Sequence, residues 1–410
     1  MANRRRRQWG TGSVSQRTDG RWHGRIDAGF NTKGERVRKS VVRKTEAECR
    51  RALIDLARKI DRGMDVSQNS RVTIKAWAEQ WLTLREERVR PSSFNADRSA
   101  VVNWIIPTLG RKTLTGLTPG DVRRVHKAMQ SAGRADSSVT RAHTTLMTML
   151  KDAYLEGHEV HRRVLDTPPP GMGESERVDI PVEDAVKLIH AAADSPMRSR
   201  WVAALLQGMR QAECLGLTWD AVDLDAGTME VSTQLKAIPY RHGCGDTCGR
   251  RFGGDCPDRE FRVPRGYKMT QVQDRWHLVP PKTRAGVRVI PITPWMLAAL
   301  KERELTAPDS ILVWANDDGT VRDEKQDAAE WKELQDAAGV RKPNGEYYTL
   351  HECRHTAATI LLVLGVDPLV VIRILGHSSI LSTQRYQHVD MELMRKALEG
   401  VAGALRLDAQ

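Results

Sequence analysis

The sequence predicts an α+β multidomain protein that combines a small three-stranded sheet plus helix, a helical domain, and a mixed, mainly helical domain. A length of 410 residues exceeds that of one ordinary domain. Strand-like sequence is concentrated at the start of the chain and in its second half, and the Pro- and Gly-rich stretch "DTPPPGMGES" interrupts the helical pattern at 166–175. These observations place the domains at 1–65, 70–165 and 177–410, with a linker at 166–176.

The first domain is strongly basic. Residues 1–62 contain 18 Lys and Arg against 7 Asp and Glu, so they carry a surplus of 11 out of the formal net charge of +12. Short segments in which Arg alternates with apolar residues, separated by "TDG" and "TKGE" turns, predict three strands, and a helix follows over 45–61. A basic sheet of this size favours binding to a polyanion, nucleic acid above all, over a merely solvated tail such as the "RRRR" run at 4–7.

The second domain has the pattern of helices throughout. Trp77 and Trp81 recur at helical spacing. Thr118 is expected to cap a helix that has Pro119 at its first position, and a longer helix is expected to end at Gly157. Each basic residue of this domain, taken singly, is assigned to an ordinary solvated surface.

The third domain contains the residues with a chemical role. One long helix is predicted over "LLQGMRQAECLGLTWDAVDL", residues 205–224, where Arg210 lies three residues before Glu213. The segment "RWHLVPPKTRAGVRVIPI", residues 275–292, is typical of a hairpin with Lys282 beside its turn. The segments "TLHECRHTAATILLVLGV" and "RILGHSSILSTQRYQHV" follow. Together these segments contribute six candidate catalytic residues: Arg210, Lys282, His351, Arg354, His377 and Tyr386.

This ordered set resembles the tyrosine recombinase family, also called phage-type integrases. "GMR" with Glu213 is similar to the family's first arginine box, "HECRH" to its His-x-x-Arg box, and "LGH" with "TQRYQH" to its second histidine and nucleophile segments. Met209 stands where leucine is usual. The resemblance implies an arm-type DNA-binding domain at 1–65, a helical SAM-like core-binding domain at 70–165, and a catalytic domain of the tyrosine recombinase, or DNA breaking-rejoining, type at 177–410. It further implies a site-specific recombinase that integrates or excises a mobile element through a 3′-phosphotyrosyl intermediate.

The residue types of the set also fit this chemistry on physical grounds. Breaking a phosphodiester without water requires a nucleophile, positive charge near the phosphorus and a proton for the leaving oxygen. A tyrosine hydroxyl has a reference pKa of about 10, so Tyr386 needs cationic neighbours. Arg210 and Arg354 can each present a planar fork to the non-bridging oxygens. Lys282 is the candidate acid for the 5′ oxygen, and the two histidines are expected to orient or shuttle protons near neutral pH.

The helix that carries the second arginine has its own start signal. Thr349 and Glu352 form a predicted capping box, with Glu352 in a structural role. His351 and Arg354 lie three residues apart, so they share a face at the positive end of this helix, which is expected to point at a phosphate. Glu213 is expected to orient the first arginine.

The segment "RHGCGDTCGRRFGGDC", residues 241–256, precedes the predicted hairpin and departs from the simplest family pattern. Thiolates with one imidazole suit a four-ligand structural zinc site made of His242, Cys244, Cys248 and Cys256. Their spacing is irregular compared with paired C-x-x-C knuckles, so a glycine-rich loop with reduced thiols is an equal alternative. The other three cysteines are expected to be buried thiols.

Cofactors and partners follow from the proposed chemistry and from the resemblance. A phosphotyrosine ester stores the energy of the cut bond, so no cofactor is expected for catalysis, and the sequence contains no P-loop and no acidic metal cluster. The resemblance implies double-stranded DNA with attachment sites as the partner, a homotetramer on that DNA, and an excision factor as an accessory protein. A C-terminal apolar stripe from Met394 to Leu405 suits docking on a neighbouring protomer or packing on its own domain equally well.

Other classes are less well supported by the sequence. No apolar run is long enough to span a bilayer and the N-terminus lacks the apolar stretch of a signal peptide, which predicts a protein of the bacterial cytoplasm with no membrane partner. A type IB topoisomerase or a telomere resolvase would use a similar residue set, but the small basic sheet favours the integrase arrangement. A DNA-binding regulator that has lost the chemistry is disfavoured because all six residues are present.

Overall fold

The computed structural model describes residues 12–30, 36–61, 72–171 and 178–376. The chain divides into two compact units, residues 1–174 and 175–410. The "RRRR" run, residues 172–176 of the predicted linker, the C-terminal apolar stripe, His377 and Tyr386 lie outside the described residues. Within those ranges, no helix combines the length and the apolar character needed to cross a bilayer.

The first unit begins with a small antiparallel sheet. Its strands are hydrogen-bonded in chain order: β1 (Ser13–Gln16), β2 (Trp22–Phe30) and β3 (Arg36–Arg43). Helix α1 (Glu46–Asp61) packs on β2 and β3, and its Cys49 and Leu53 are buried together with Ile26 of β2. The predicted sheet plus helix is confirmed.

The opposite face of this sheet is basic. The register pairs Arg25 with Ser40 and Asp27 with Arg38, so these side chains lie on the face away from Ile26. Arg25 and Arg38 are both exposed there. The wet, basic face that the sequence predicts is therefore present.

The remainder of the first unit is helical. Its helices are α2 (Ile74–Arg88), α3 (Pro91–Ala100), α4 (Ile106–Leu109), α5 (Pro119–Ser131), α6 (Asp136–Leu155) and α7 (Arg162–Leu165), with a π-helical turn at Val101–Ile105 between α3 and α4. The Thr118 hydroxyl accepts a hydrogen bond from the Asp121 N–H at 3.3 Å and caps α5, as predicted. Trp77 and Trp81 are buried in the core of this unit.

The second unit contains seven of the helices in the described part of the chain. They are α8 (Val182–Ala191), α9 (Arg198–Leu205), α10 (Gln211–Leu215), α11 (Pro294–Thr306), α12 (Glu324–Ala338), α13 (Leu350–Val363) and α14 (Pro368–Leu375). Their shared core includes Trp201, Trp314 and Trp331, all of which are buried.

The strands of the second unit form three small sheets. The strands are β4 (Val222–Asp223), β5 (Thr228–Val231), β6 (Gln234–Ala237), β7 (Tyr240–His242), β8 (Arg259–Phe261), β9 (Thr270–Gln273), β10 (Trp276–Val279) and β11 (Arg288–Pro291). The sheet orders are β6-β10-β9, β11-β5-β4 and β7-β8.

A loop lies between two neighbouring strand pairs, β5 with β11 and β6 with β10. In one ladder Val231 of β5 lies opposite Arg288 of β11, and in the other Gln234 of β6 lies opposite Val279 of β10. The two residues 232–233 therefore face the eight residues 280–287, which leave the ladder as a loop. We call residues 280–287 the lysine loop because they contain Lys282.

The prediction of one long helix over 205–224 is wrong. Helix α9 ends at Leu205 and α10 begins at Gln211. Between them Gly208 has φ +58°, in the left-handed region that glycine adopts without steric cost. Because the chain turns here, Arg210 occupies the N-cap of α10 with extended backbone.

The prediction of a hairpin over 275–292 is also wrong. Strands β10 and β11 pair with β6 and β5 and not with each other. Pro280 and Pro281 follow β10 and have no N–H to donate to a ladder. The hairpin that does form joins β9 to β10 through Asp274 and Arg275.

Candidate active site

Glu213 fixes Arg210 at the first turn of α10. The Arg210 N–H donates to Glu213 Oε2 at 3.0 Å, and Arg210 Nη1 donates to Glu213 Oε1 at 2.5 Å. The Glu213 side chain is fully buried, whereas that of Arg210 is 33% exposed. The two hydrogen bonds orient Arg210, as expected, while its side chain remains partly exposed to solvent.

Glu213 also binds Arg288. Arg288 Nη2 donates to Glu213 Oε2 at 2.9 Å. Burial alone would raise the pKa of the Glu213 carboxyl, but the hydrogen bond and charge of Arg288, together with the charge of Arg210, outweigh burial and hold this pKa below its ordinary value. One ionised carboxylate thus links two arginines.

Helix α13 begins with the predicted capping box. The Thr349 N–H donates to Glu352 Oε2 at 2.6 Å. Arg354 is buried, whereas His351, three residues earlier, is exposed. The His351 ring meets the His355 ring edge-on, with 4.7 Å between the centroids. The two candidate residues of this helix therefore differ in their access to solvent.

Three arginine side chains meet the last carbonyl groups of α14 and its cap. Arg288, Arg354 and Arg210 donate, in that order, to the carbonyl oxygens of residues 374, 375 and 376. The Arg288 and Arg210 bonds measure 2.7 and 3.1 Å. Arg354 also donates to the Gly208 carbonyl at 2.7 Å. The next residue in the sequence is the second histidine of the candidate set, so these bonds fix the position of the chain directly before that histidine.

Gly376 allows the end of α14 to lie directly against the lysine loop. It has φ +64°, and a Cβ at this position would lie 2.7 Å from the Ala285 carbonyl oxygen and 3.0 Å from Arg288 Nη1. The contact with the backbone oxygen is closer than a Cβ tolerates, and the contact with Arg288 would require that side chain to shift. The loop and the helix end are thus in contact through a glycine.

The lysine loop is anchored at its C-terminal end, residues 284–287, which we call the base of the loop. A 3₁₀ turn spans Arg284–Gly286, and Arg288 Nη1 donates to the Gly286 carbonyl at 3.1 Å. Lys282 lies before this turn and is exposed. The loop therefore presents its lysine to solvent from an anchored base.

A second cluster lies in the insert between β6 and β10. Its four members are His242, Cys244, Cys248 and Cys256, whose ligand atoms all lie within 4.8 Å of one another. Cys248 Sγ is 3.3 Å from His242 Nδ1, and Cys256 Sγ is 3.5 Å from Cys244 Sγ. Ligands of a tetrahedral zinc with Zn–S bonds of about 2.3 Å are about 3.8 Å apart. The donor set and its spacing therefore fit zinc.

The thiols of this cluster are not equivalent. Burial alone would raise the pKa of Cys244, but hydrogen bonds from the Cys248 backbone N–H and from the Cys256 thiol lower it to about 6. A backbone N–H from Arg250 acts to lower the pKa of Cys248, yet burial and the neighbouring Cys244 outweigh that bond and raise it. The cluster thus has one thiol of unusually high acidity.

Comparison with known proteins relates the chain to one family. The profile of the phage integrase family matches residues 267–392, which contain five of the six candidate residues, and the profile of the phage integrase N-terminal SAM-like domain matches residues 73–130. Over 417 aligned residues the chain is 29% identical to an integrase of Saccharopolyspora erythraea, with 93% of each chain covered. In these segments and over this relative's length, the chain is similar to tyrosine recombinases of the phage integrase family.

Solved tyrosine recombinases share the fold. The integrase of transposon Tn1549, in complex with transposon right end DNA, aligns with a TM-score of 0.64 at 17% identity, over 81% of this chain and 100% of that one. A lambda integrase tetramer bound to a Holliday junction aligns with a TM-score of 0.55 at 15% identity, over 93% and 96% of the two chains. The predicted fold class is confirmed.

The structure brings part of the predicted tyrosine recombinase set together. Arg210, Arg354 and the base of the lysine loop converge on the end of α14, while His351 lies near the start of α13. His377 and Tyr386 are outside the described residues, although the family profile matches the sequence through both.

Sequence reasoning missed Arg288. Strand β11 alternates buried and exposed residues, and Arg288 shares its buried face with Ile290. An arginine where alternation requires an apolar residue is rarely left without a buried partner. The arginine at a position where the strand pattern calls for an apolar residue could therefore have indicated a buried ion pair.

Proposed function

We propose that this site-specific DNA recombinase cleaves and rejoins DNA through a 3′-phosphotyrosyl bond to Tyr386, and that it thereby integrates or excises a mobile element. The meeting of Arg210, Arg354 and the lysine loop at the end of α14 supports this proposal most strongly. Cations gathered at one point stabilise the negative charge that builds on a phosphate as its ester bond breaks.

The steps of cleavage follow from the residue types. The Tyr386 oxygen attacks the phosphorus and its proton passes to His351 or His377. The bond between phosphorus and the 5′ oxygen breaks, and Lys282 gives a proton to that oxygen. Arg210, whose side chain is partly exposed, donates to the non-bridging oxygens. The product is a 3′-phosphotyrosyl ester and a free 5′ hydroxyl.

Rejoining reverses the same steps. The 5′ hydroxyl of another strand attacks the phosphotyrosine, and the tyrosine regains its proton as it leaves. The ester retains the energy of the bond that was cut. Tyrosine recombinases therefore need no cofactor for the exchange.

A nicked substrate tests the covalent step. Genomic duplexes that contain the ends of the element, nicked so that the short strand released by cleavage diffuses away, should trap the protein on DNA. Wild-type protein is expected to accumulate this adduct and Tyr386→Phe to form none. Tyr347→Phe is a matched control, because it removes a hydroxyl that donates to Asp336 at 3.0 Å, and it should form the adduct normally.

The same experiment separates the rival functions. If wild-type protein binds these duplexes without forming an adduct, a DNA-binding regulator remains and the recombinase chemistry is refuted. If adducts form at unrelated sequences and supercoils relax, the topoisomerase alternative is favoured. Sequencing the trapped strands gives the attachment site.

We also propose the assembly in which the exchange occurs. Joining two duplexes requires four cut strands and so four tyrosines, which supports a homotetramer on double-stranded attachment sites in the bacterial cytoplasm. The lambda integrase structure, described as a tetramer bound to a Holliday junction, supports the same number. We also propose an excision factor as an accessory protein that favours excision of the element over its integration.

The insert is proposed to hold one structural zinc ion. His242, Cys244, Cys248 and Cys256 supply four ligands, and pairing of His242 with Arg259 across β7 and β8 holds together the two ends of residues 242–259, the part of the insert that contains them. Such an ion would crosslink a segment that has little apolar core of its own.

Metal analysis tests the zinc proposal. Purified protein is expected to contain about one equivalent of zinc, given the tight binding typical of structural sites. Cys256→Ser should lose it, whereas Cys49→Ser, which changes a buried thiol of the first unit, should retain it. Less than about half an equivalent in the wild-type protein would contradict the proposal.

A further inference from the structure

One buried arginine contacts three separate parts of the active site. The Arg288 side chain is 6% exposed. It donates to Glu213 Oε2 at 2.9 Å, to the Ile374 carbonyl at 2.7 Å and to the Gly286 carbonyl at 3.1 Å. These partners belong to α10, to the end of α14 and to the lysine loop.

Each of these parts carries a candidate catalytic residue. Glu213 orients Arg210, the lysine loop contains Lys282, and the residue after the cap of α14 is the second histidine. A guanidinium has five N–H donors in a rigid plane, so it can bind partners on three sides at once. An ammonium group on a flexible stem does not reproduce that geometry.

We propose that Arg288 is a positioning residue that sets the place of the Lys282 loop relative to Arg210 and the end of α14. The proposal rests on the recombinase function proposed above. Arg288 is buried and each of its three side-chain nitrogens donates to a carbonyl or a carboxylate, so it acts through these segments and not by contact with DNA.

Position matters because proton transfer to the leaving oxygen depends on distance. A displacement of about 1 Å at a reacting group can cost about 100-fold in rate. The lysine loop is tied to the helix end by the close contact at Gly376 and by the two Arg288 carbonyl bonds. Without Arg288, the base of the loop loses the side chain that joins it to the rest of the site.

The experiment compares two substrates in one protein preparation. Arg288→Lys is tested on a nicked duplex with an ordinary 5′ oxygen and on one with a bridging 5′ sulfur, which leaves without needing a proton. The ratio of the two cleavage rates does not depend on the fraction of protein that is folded. Arg303→Lys is the matched control, because Arg303 is also buried and donates to two carbonyls, those of Val313 and Ala315, away from the site.

The expected result is a selective loss. Arg288→Lys should bind DNA normally and cleave the oxygen substrate at least about 10-fold more slowly, with a much smaller loss on the sulfur substrate. Arg303→Lys should leave the ratio of the two rates at the wild-type value. If Arg288→Lys does not fold, Arg288→Gln, which keeps one amide donor, is measured in the same way.

The outcomes that overturn the proposal are distinct. An unchanged ratio of rates in the folded Arg288 variants, whether both rates fall equally or neither falls, removes Arg288 from the positioning of the lysine loop. If wild-type protein forms no adduct on either substrate, the recombinase function itself fails and this proposal fails with it.

Discussion

The proposed role of Lys282 as a general acid can be tested separately from other roles by changing the leaving group of the substrate. Lys282→Ala removes the proposed acid, so cleavage of the ordinary substrate should slow severely, by the roughly 100- to 10,000-fold that general acids contribute. A 5′-bridging sulfur leaves without a proton, and much of the lost rate should return on that substrate. Single-turnover cleavage measures both rates.

A neighbour in the same loop is the control for this substitution. Arg284 is exposed in the 3₁₀ turn that follows Lys282, and Arg284→Ala also removes one cation from the loop. It should change both rates by a similar, small factor. Equal losses on both substrates in Lys282→Ala would remove this lysine from the acid role.

Glu213 contributes to stability through its charge. Glu213→Gln keeps the shape of the side chain but leaves Arg288 buried without its anion, so unfolding should become easier by about 3–5 kcal/mol at pH 7. Because the pKa of Glu213 is lowered in the folded protein, its stabilisation is complete above the unfolded-state pKa of about 4.3 and is lost as the pH falls through the folded-state value. The difference between the two proteins should therefore shrink in acid.

Urea denaturation at pH 7 and below pH 4 measures this dependence. Glu302→Gln is the matched control, since Glu302 is exposed and pairs with Arg198 at 3.3 Å, and it should cost less than about 1 kcal/mol. A difference between wild-type and Glu213→Gln that stays constant across this pH range would contradict the ionised state assigned to Glu213.

At the scale of elements, two glycines lie just after helices and both have left-handed backbone angles. Comparing their alanine variants distinguishes the effect of backbone strain from the effect of packing. Gly365 follows α13 and Gly376 follows α14, and both have left-handed φ values, +77° and +64°. A Cβ at Gly365 would meet no atom within 4 Å, whereas one at Gly376 would press on the Ala285 carbonyl oxygen. Alanine at either position should cost about 1–2 kcal/mol from strain.

The additional contact predicts a difference in activity. Gly376→Ala should push the lysine loop away from the end of α14 and slow cleavage, whereas Gly365→Ala should lower stability without a comparable effect on the rate. Thermal melting and single-turnover cleavage of the folded fraction measure the two effects. Equal rates for both variants would show that the contact between loop and helix end does not matter for catalysis.

At the scale of the whole molecule, the basic first domain can be separated from the chemistry. Residues 1–62 hold nearly all the net charge but none of the six catalytic candidates. Their deletion should leave cleavage of a core site measurable while integration collapses, because a second DNA contact supplies effective concentration and leaves the chemical step unchanged. Binding by the isolated segment should fall steeply with salt.

A variant that lacks exposed arginines of the sheet complements the deletion of residues 1–62. Replacing Arg25, Arg36 and Arg38 by serine in the full chain should reproduce the integration defect without a truncation. The arm-binding assignment fails if more protein or less salt restores recombination and the isolated segment shows no preference among flanking sequences.

The sequence predicted features that depend on neighbouring residues and missed those that depend on distant ones. The caps at Thr118 and Thr349 and the first sheet were predictable because their signals are local. The break at Gly208 was missed because a glycine inside a helical pattern is often tolerated. The pairing of β10 with β6 was missed because the insert of 238–275 separates the two strands along the chain. The set of catalytic candidates came from the order of short motifs, which the family profile also matches.

The three arginines at the end of α14 have a consequence for long-range attraction. A helix terminates in partial negative charge, equivalent to about half an electron, that repels an approaching phosphate. Arg288, Arg354 and Arg210 place three positive charges against those carbonyls, and the ionised Glu213 carboxylate offsets one of them. The net charge at this helix end is therefore positive, although the peptide dipoles of α14 alone would make it negative. A positive helix end attracts an anionic DNA backbone from a distance, where an uncompensated helix end would repel it.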